Sequence, residues 1–192
     1  MIYETIITTR KPDGGVHIAP MGITKGDNLI VVAPFRPSTT LDNLHRTRQA
    51  VINMTDDVSI VAGCLTGRRD WPTVPAQVVD GERLAAALAH TEIEVTHIEE
   101  DDQRPRFFCV TRYHETHGPF RGFNRAQAAV IEAAILVSRL GMLPDDKIDK
   151  EIRYLSIAID KTAGDKERRA WDWLMEKINS FRRDGASAGD AA

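Results

Sequence analysis

Ile2-Tyr3-Glu4-Thr5-Ile6-Ile7-Thr8-Thr9, then Pro12-Asp13-Gly14-Gly15, then Val16-His17-Ile18-Ala19-Pro20-Met21-Gly22-Ile23 is the stretch that decides the fold. Both arms are rich in β-branched residues, and the Pro-Asp-Gly-Gly between them is turn chemistry, so the whole reads as a hairpin. Pro20 has no N–H to give a ladder, which puts that part of the second arm at an edge or a bulge. Ala19 and Gly22 carry little or no side chain. The segment Ala19, Pro20, Met21 and Gly22 is therefore either a plain edge ending or a shelf on which a flat ligand lies close to the backbone.

Downstream, Gly26-Asp27-Asn28 turns the chain into a third strand over residues 29–33. It runs into Pro34-Phe35-Arg36-Pro37-Ser38-Thr39-Thr40-Leu41-Asp42-Asn43-Leu44, a Pro-stiffened loop followed by a helix. A helix start leaves backbone N–H groups unpaired and the positive end of its dipole outward. Ser38, Thr39 and Thr40 add hydroxyls there, and Arg36 adds a permanent forked charge, so the corner suits a phosphate monoester. One of the hydroxyls serving as an ordinary N-cap is the plainer alternative.

Residues 51–54 read as a fourth strand. Asn53, polar near its end, either satisfies a neighbouring backbone group or bonds the polar edge of a ligand. Thr55-Asp56-Asp57 then starts a helix with Val58, Val61, Ala62 and Leu65 at helical spacing. A loop with Arg68, Arg69 and Trp71 follows, and residues 81–90 read as a short Ala/Leu helix. Residues 91–99 and 106–117 alternate as two long strands of a hairpin.

From Asn124 the periodicity becomes helical. Ala126, Val130, Ala133, Val137 and Leu140 line one face, Ile148, Ile152, Leu155 and Ile159 a second, and Ala170, Leu174, Ile178 and Phe181 a third. The expected organisation is a sheet domain over 1–123, a three-helix domain over 124–183 and a disordered Gly/Ala/Ser/Asp tail over 184–192.

Composition narrows the function. The chain has 192 residues, 25 basic against 28 acidic side chains and a net charge of −3, which is no footprint for nucleic acid. Its apolar stretches fall short of a membrane span, its start carries an acid where a signal peptide carries bases, and its two cysteines form no CxxC. A cytoplasmic protein is expected. Walker, GxGxxG and GxSxG patterns are missing. His114 and His117 stand three apart on a strand and so face opposite ways, and the other histidines are scattered; no metal site and no catalytic pair are predicted.

The hairpin, the corner Arg36-Pro37-Ser38-Thr39-Thr40 and the strand end Val51-Ile52-Asn53-Met54-Thr55-Asp56 together resemble the opening of flavin-reductase-like, FMN-binding split β-barrels. More narrowly, Gly122-Phe123-Asn124-Arg125-Ala126-Gln127-Ala128 with Val130-Ile131-Glu132-Ala133-Ala134 resembles an archaeal and bacterial family of that fold whose function is unknown. The resemblance implies an α+β chain, an antiparallel split β-barrel with a small C-terminal helical domain. It implies FMN with its phosphate on Arg36, Ser38, Thr39 and Thr40, its ring against Ala19, Pro20, Met21 and Gly22, and Asn53 near the ribityl or ring edge. It also implies a homodimer with the site at the interface, where Arg112, Arg121 or Arg125 comes from either copy. The function it implies is flavin-dependent oxidoreduction of a small cofactor-like substrate with a small-molecule electron donor. A non-catalytic flavin-binding or interaction module is the alternative.

Overall fold

The computed structural model describes residues 1–26 and 29–189, with side chains to Asp184. The turn expected at Gly26-Asp27-Asn28 thus lies partly outside the described residues. Six strands close an antiparallel barrel in the order β1-β2-β3-β8-β7-β4. They are β1 (Ile2–Arg10), β2 (Val16–Lys25), β3 (Ile30–Val32), β4 (Gln49–Met54), β7 (Ala89–Glu99) and β8 (Arg106–Thr116). Helix α1 (Thr39–Thr47) lies between β3 and β4, and a small hairpin, β5 (Thr73–Pro75) and β6 (Glu82–Leu84), precedes β7.

The period-2 alternation of β1 sorts its residues. Ile7 joins Ile23, Val32, Ile52, Ile93, Phe107 and Cys109 in the barrel core, with Leu41 and Leu44 of α1. Its neighbours Ile6 and Thr8 point to the outer face and are also buried. Thr8 Oγ1 donates to the carbonyl of Glu82 at 2.5 Å, which ties the β5–β6 hairpin over that face.

That hairpin corrects the helix expected over residues 81–90. An isolated ten-residue helix is marginal in water, whereas here the segment gains a β-ladder, Thr73 with Leu84 through Pro75 with Glu82, and buries Leu84 completely. Tertiary burial overrides the Ala/Leu propensity.

The chain divides into two compact units, residues 1–56 with 70–120, and residues 57–69 with 121–192. The second is helical, with α2 (Val58–Leu65), α3 (Arg125–Ser138), α4 (Asp145–Thr162) and α5 (Asp165–Gly189). Val58 and Ala62 of α2 pack with Ala126, Val130 and Ala133 of α3, Ile148 and Ile159 of α4, and Ala170 and Leu174 of α5. Asn124 caps α3 by accepting from Ala126 and Gln127 N–H, but Gln127 reaches Glu167 instead of closing a reciprocal box. Trp171 enters the core and Trp173 lies under the Arg68 guanidinium at 4.5 Å. The tail expected to be disordered from residue 184 instead continues α5 to Gly189; residues 190–192 lie outside the described ones.

Candidate functional site

The ladder between β2 and β3 has three rungs, Ile23 with Val32, Thr24 with Val31 and Lys25 with Ile30. Among the described residues, 16–22 of β2 pair only with β1. Here the barrel is split, and Pro20 sits where a missing N–H costs nothing. Strand alternation divides the predicted shelf. Met21 packs toward the barrel core, and Ala19, two residues along, shares its face. Pro20 and Gly22 take the other. A Cβ added at Gly22 would make only ordinary contacts, 3.5 Å from Glu4 and Ile2, so the chain's own packing does not demand glycine there.

The corner is built as the sequence predicts at its helix. Ser38 is the N-cap of α1, its Oγ accepting from Leu41 N–H at 3.3 Å, Thr39 is exposed and Thr40 is buried. Arg36 is engaged within the chain. Its Nη2 donates to Glu100 Oε2 at 2.5 Å, its Nε to the Asp101 carbonyl at 3.0 Å and its backbone N–H to the Gln103 carbonyl at 2.8 Å. The β7–β8 turn thus holds Arg36, whose side chain is 38% exposed. Asp101 in turn accepts from Arg104 and Gln103 N–H, and these bonds hold its carboxyl below the ordinary range, with the Arg36 charge adding to them. Arg36, Glu100, Asp101 and Asp102 line a cleft of about 340 Å³.

Asn53 is fully buried and its amide is spent inside the chain. Nδ2 donates to the Ile6 carbonyl at 3.1 Å and Thr8 Oγ1 at 3.2 Å, while Oδ1 accepts from Leu84 N–H at 2.7 Å. This is the plainer of its two readings: it satisfies backbone and joins β4 to β6. At one end of the barrel a second cavity of about 330 Å³ is lined by Thr5, Ile23, Lys25, Ile52, Met54 and Thr91 among others, and none of the predicted site residues borders it.

A polar line on the outer face escaped the sequence reading. Glu92 is fully buried and accepts backbone N–H bonds from Gln77 at 2.6 Å, Val78 at 2.7 Å and Val79 at 2.8 Å. Burial alone would raise its pKa; the three N–H bonds outweigh this and hold the carboxylate below the ordinary range. Its Oε1 lies 3.2 Å from Nε2 of the buried His90, and His90 Nδ1 lies 2.8 Å from His117 Nε2. Partial desolvation of its ring, helped by the Arg83 charge, holds the His117 pKa below the ordinary histidine value. As predicted, His114 diverges from His117; it meets Thr91 Oγ1 at 2.9 Å. The missed signal was His-x-Glu at 90–92 set against Glu-x-His at 115–117, each spacing sharing one strand face.

With the geometry in place, the likenesses are informative. The pattern described as "Protein of unknown function (DUF447) N-terminal domain" matches residues 3–118, and that described as "Protein of unknown function (DUF447)" matches residues 124–176. An FMN-bound protein of the same family from Methanosarcina mazei is similar at 22% identity and a TM-score of 0.78, covering 92% of this chain and 94% of that one. The styrene monooxygenase flavin reductase of Pseudomonas putida is 12% identical with a TM-score of 0.52, over 60% of this chain and 81% of that one. The 2-nitrobenzoate 2-nitroreductase of Pseudomonas fluorescens is 21% identical with a TM-score of 0.51, over 59% and 64%. At these identities the structures establish the split-barrel fold. No curated protein sequence matches the chain. Among the described residues no helix is long and apolar enough to cross a membrane.

Proposed function

The chain belongs to the DUF447 family, and from that premise we propose that it is an FMN-binding protein that works as a flavin-dependent oxidoreductase on a small cofactor-like substrate. The observation that carries the reading is the likeness to the FMN-bound family member over nearly the whole chain. The residues present fit the group. The first turn of α1 offers unpaired N–H groups beside the exposed Thr39 and the Ser38 cap, a setting that favours a phosphate. Thr40 is buried in that turn.

Arg36 joins by exchange. Both Arg36 and Glu100 are more than a third exposed, so their ion pair is weakly held and a phosphate dianion competes for the same guanidinium. Glu100, Asp101 and Asp102 resist that anion and set the affinity. The unpaired edge of β2 over Ala19–Gly22 offers backbone groups and little side-chain bulk to a planar ring. Asn53 acts one layer behind, fixing β4 through Ile6 and Leu84. When bound, the flavin supplies hydride and electron transfer, while the protein supplies position and electrostatics. We place the cofactor between two copies of the chain, reduced by a small electron donor such as a nicotinamide cofactor.

The test is an absorbance spectrum of the protein after FMN is added and the excess removed. Flavin bands retained at about one FMN per chain, the stoichiometry of a single built site, support the reading; a colourless protein overturns it. Anaerobic addition of NADH or NADPH then separates an oxidoreductase, whose flavin bleaches, from a binding module. Light scattering reads the dimer.

A further inference from the structure

We propose that His90, Glu115 and His117 form a binding site for a first-row divalent cation of the zinc class, independent of the flavin reading. His90 Nδ1, His117 Nε2 and a Glu115 carboxylate oxygen all lie within 4.8 Å of one another. The register of β7 and β8 makes this so: His90 stands directly opposite Glu115, and His117 follows two residues on, on the same face.

The site has a built inner wall. His90 is fully buried, and Glu92, locked by its three backbone N–H bonds, takes the Nε2–H of the ring. This fixes the tautomer and turns the Nδ1 lone pair outward toward His117, the carboxylate–histidine–metal arrangement in which an outer carboxylate orients a ligating imidazole. Among the described residues, His90 is the only basic side chain in an ion-pair contact with Glu92. On the other side the Tyr113 hydroxyl donates to Glu115 Oε2 at 3.3 Å, leaving the second oxygen for an ion.

The two ring planes are nearly parallel, 14° apart, with centroids 5.0 Å apart, and a nitrogen of each faces the other. Without an ion the two nitrogens stand at a hydrogen-bond distance, 2.8 Å. Two imidazoles on a tetrahedral ion at about 2.1 Å stand about 3.4 Å apart, so His117 must move outward by about 0.6 Å, turn its ring toward the ion and place its proton on Nδ1. His117 lies just past the end of β8 and is exposed, which gives it that freedom. Two nitrogens and one carboxylate leave a coordination position open to water or a small ligand, as in sites that do chemistry rather than only hold a fold. The charges agree: a dication meets the Glu115 carboxylate and has that of Glu92 behind His90, against the positive charge of Arg83 near His117.

The experiment is a titration of the full-length, tag-free chain, stripped with chelator, with cobalt(II) chloride, followed by visible ligand-field absorption. Expected are bands saturating at about one cobalt per chain and bleached by zinc, the mark of one tetrahedral or five-coordinate nitrogen/oxygen site. His117→Ala should abolish them, Glu115→Gln should weaken binding, and Glu92→Gln should weaken it about 10- to 100-fold. His114→Ala, on the opposite face, should leave them unchanged. Circular dichroism verifies that each variant is folded, and the exposed His117 makes its variant the decisive one. No bands in the native chain, or bands that persist in His117→Ala, would overturn the site and leave a hydrogen-bonded histidine pair.

Discussion

The Arg36–Thr40 corner and the Glu92–His90–His117 line are both polar, yet they are built on opposite terms. The corner is assembled from residues adjacent in sequence, is largely exposed, and holds its one cation in a pair that solvent screens. The line is assembled from three segments, is buried at its inner end, and has its charged oxygens bonded to backbone N–H. The corner can exchange partners with little structural cost. The line cannot, because each of its groups supports another.

Stability measurements break this comparison most directly. Glu92→Ala leaves three backbone N–H groups without their acceptor, the buried one of Val79 among them, and removes the partner of the buried His90, so it should cost about 3 kcal/mol in urea denaturation, the scale of removing one side of a buried charged network. An unchanged midpoint would show that the loop 76–79 finds other partners. Asn53→Ala should cost about 2 kcal/mol, since Leu84 N–H loses its acceptor and a buried contact between β4 and β6 goes with it. FMN affinity in that variant should stay near the native value if Asn53 acts only behind the site.

Smaller effects belong to the corner. Arg36→Ala should weaken FMN binding by about 1.5 kcal/mol, the value of a charge-assisted hydrogen bond, with little change in stability. Glu100→Gln should do the reverse, tightening FMN a few-fold, about 0.5 to 1 kcal/mol, by releasing Arg36. Fluorescence titration of FMN reads both, and equal affinities in all three proteins would remove Arg36 from the site.

The smallest expected effect concerns acid. Asp101 has a folded-state pKa depressed by the Arg104 and Gln103 N–H bonds, so its contribution is complete above the ordinary aspartate value of about 3.9 and is lost as pH falls through the lower folded value. Amide exchange at Gln103 and Arg104 should accelerate over that range before exchange in β4 does. Simultaneous loss would mean that the turn unfolds only with the barrel.

Legibility in the sequence follows the same division. The hairpin of β1 and β2, the capped start of α1 and the α3 face were readable because turn residues, caps and periodicity act within a few residues. The β5–β6 segment was misread as helix because its local propensity competes with a ladder and a burial that only the outer face of the barrel supplies. Helix α2 reads locally as a helix, but nothing local says that Val58 and Ala62 pack with α3 and α5.

The sequence by itself determined the elements outside residues 67–90, the edge at Pro20 and the hydroxyl-lined start of α1, since each rests on backbone chemistry carried by neighbouring residues. Tertiary structure alone decided that Arg36 pairs with Glu100 across the fold, that Asn53 serves the backbone, and that His90 meets His117 while His114 does not. These depend on strand register and loop closure, which bring together side chains 27 to 65 residues apart, separations at which no local pattern leaves a trace.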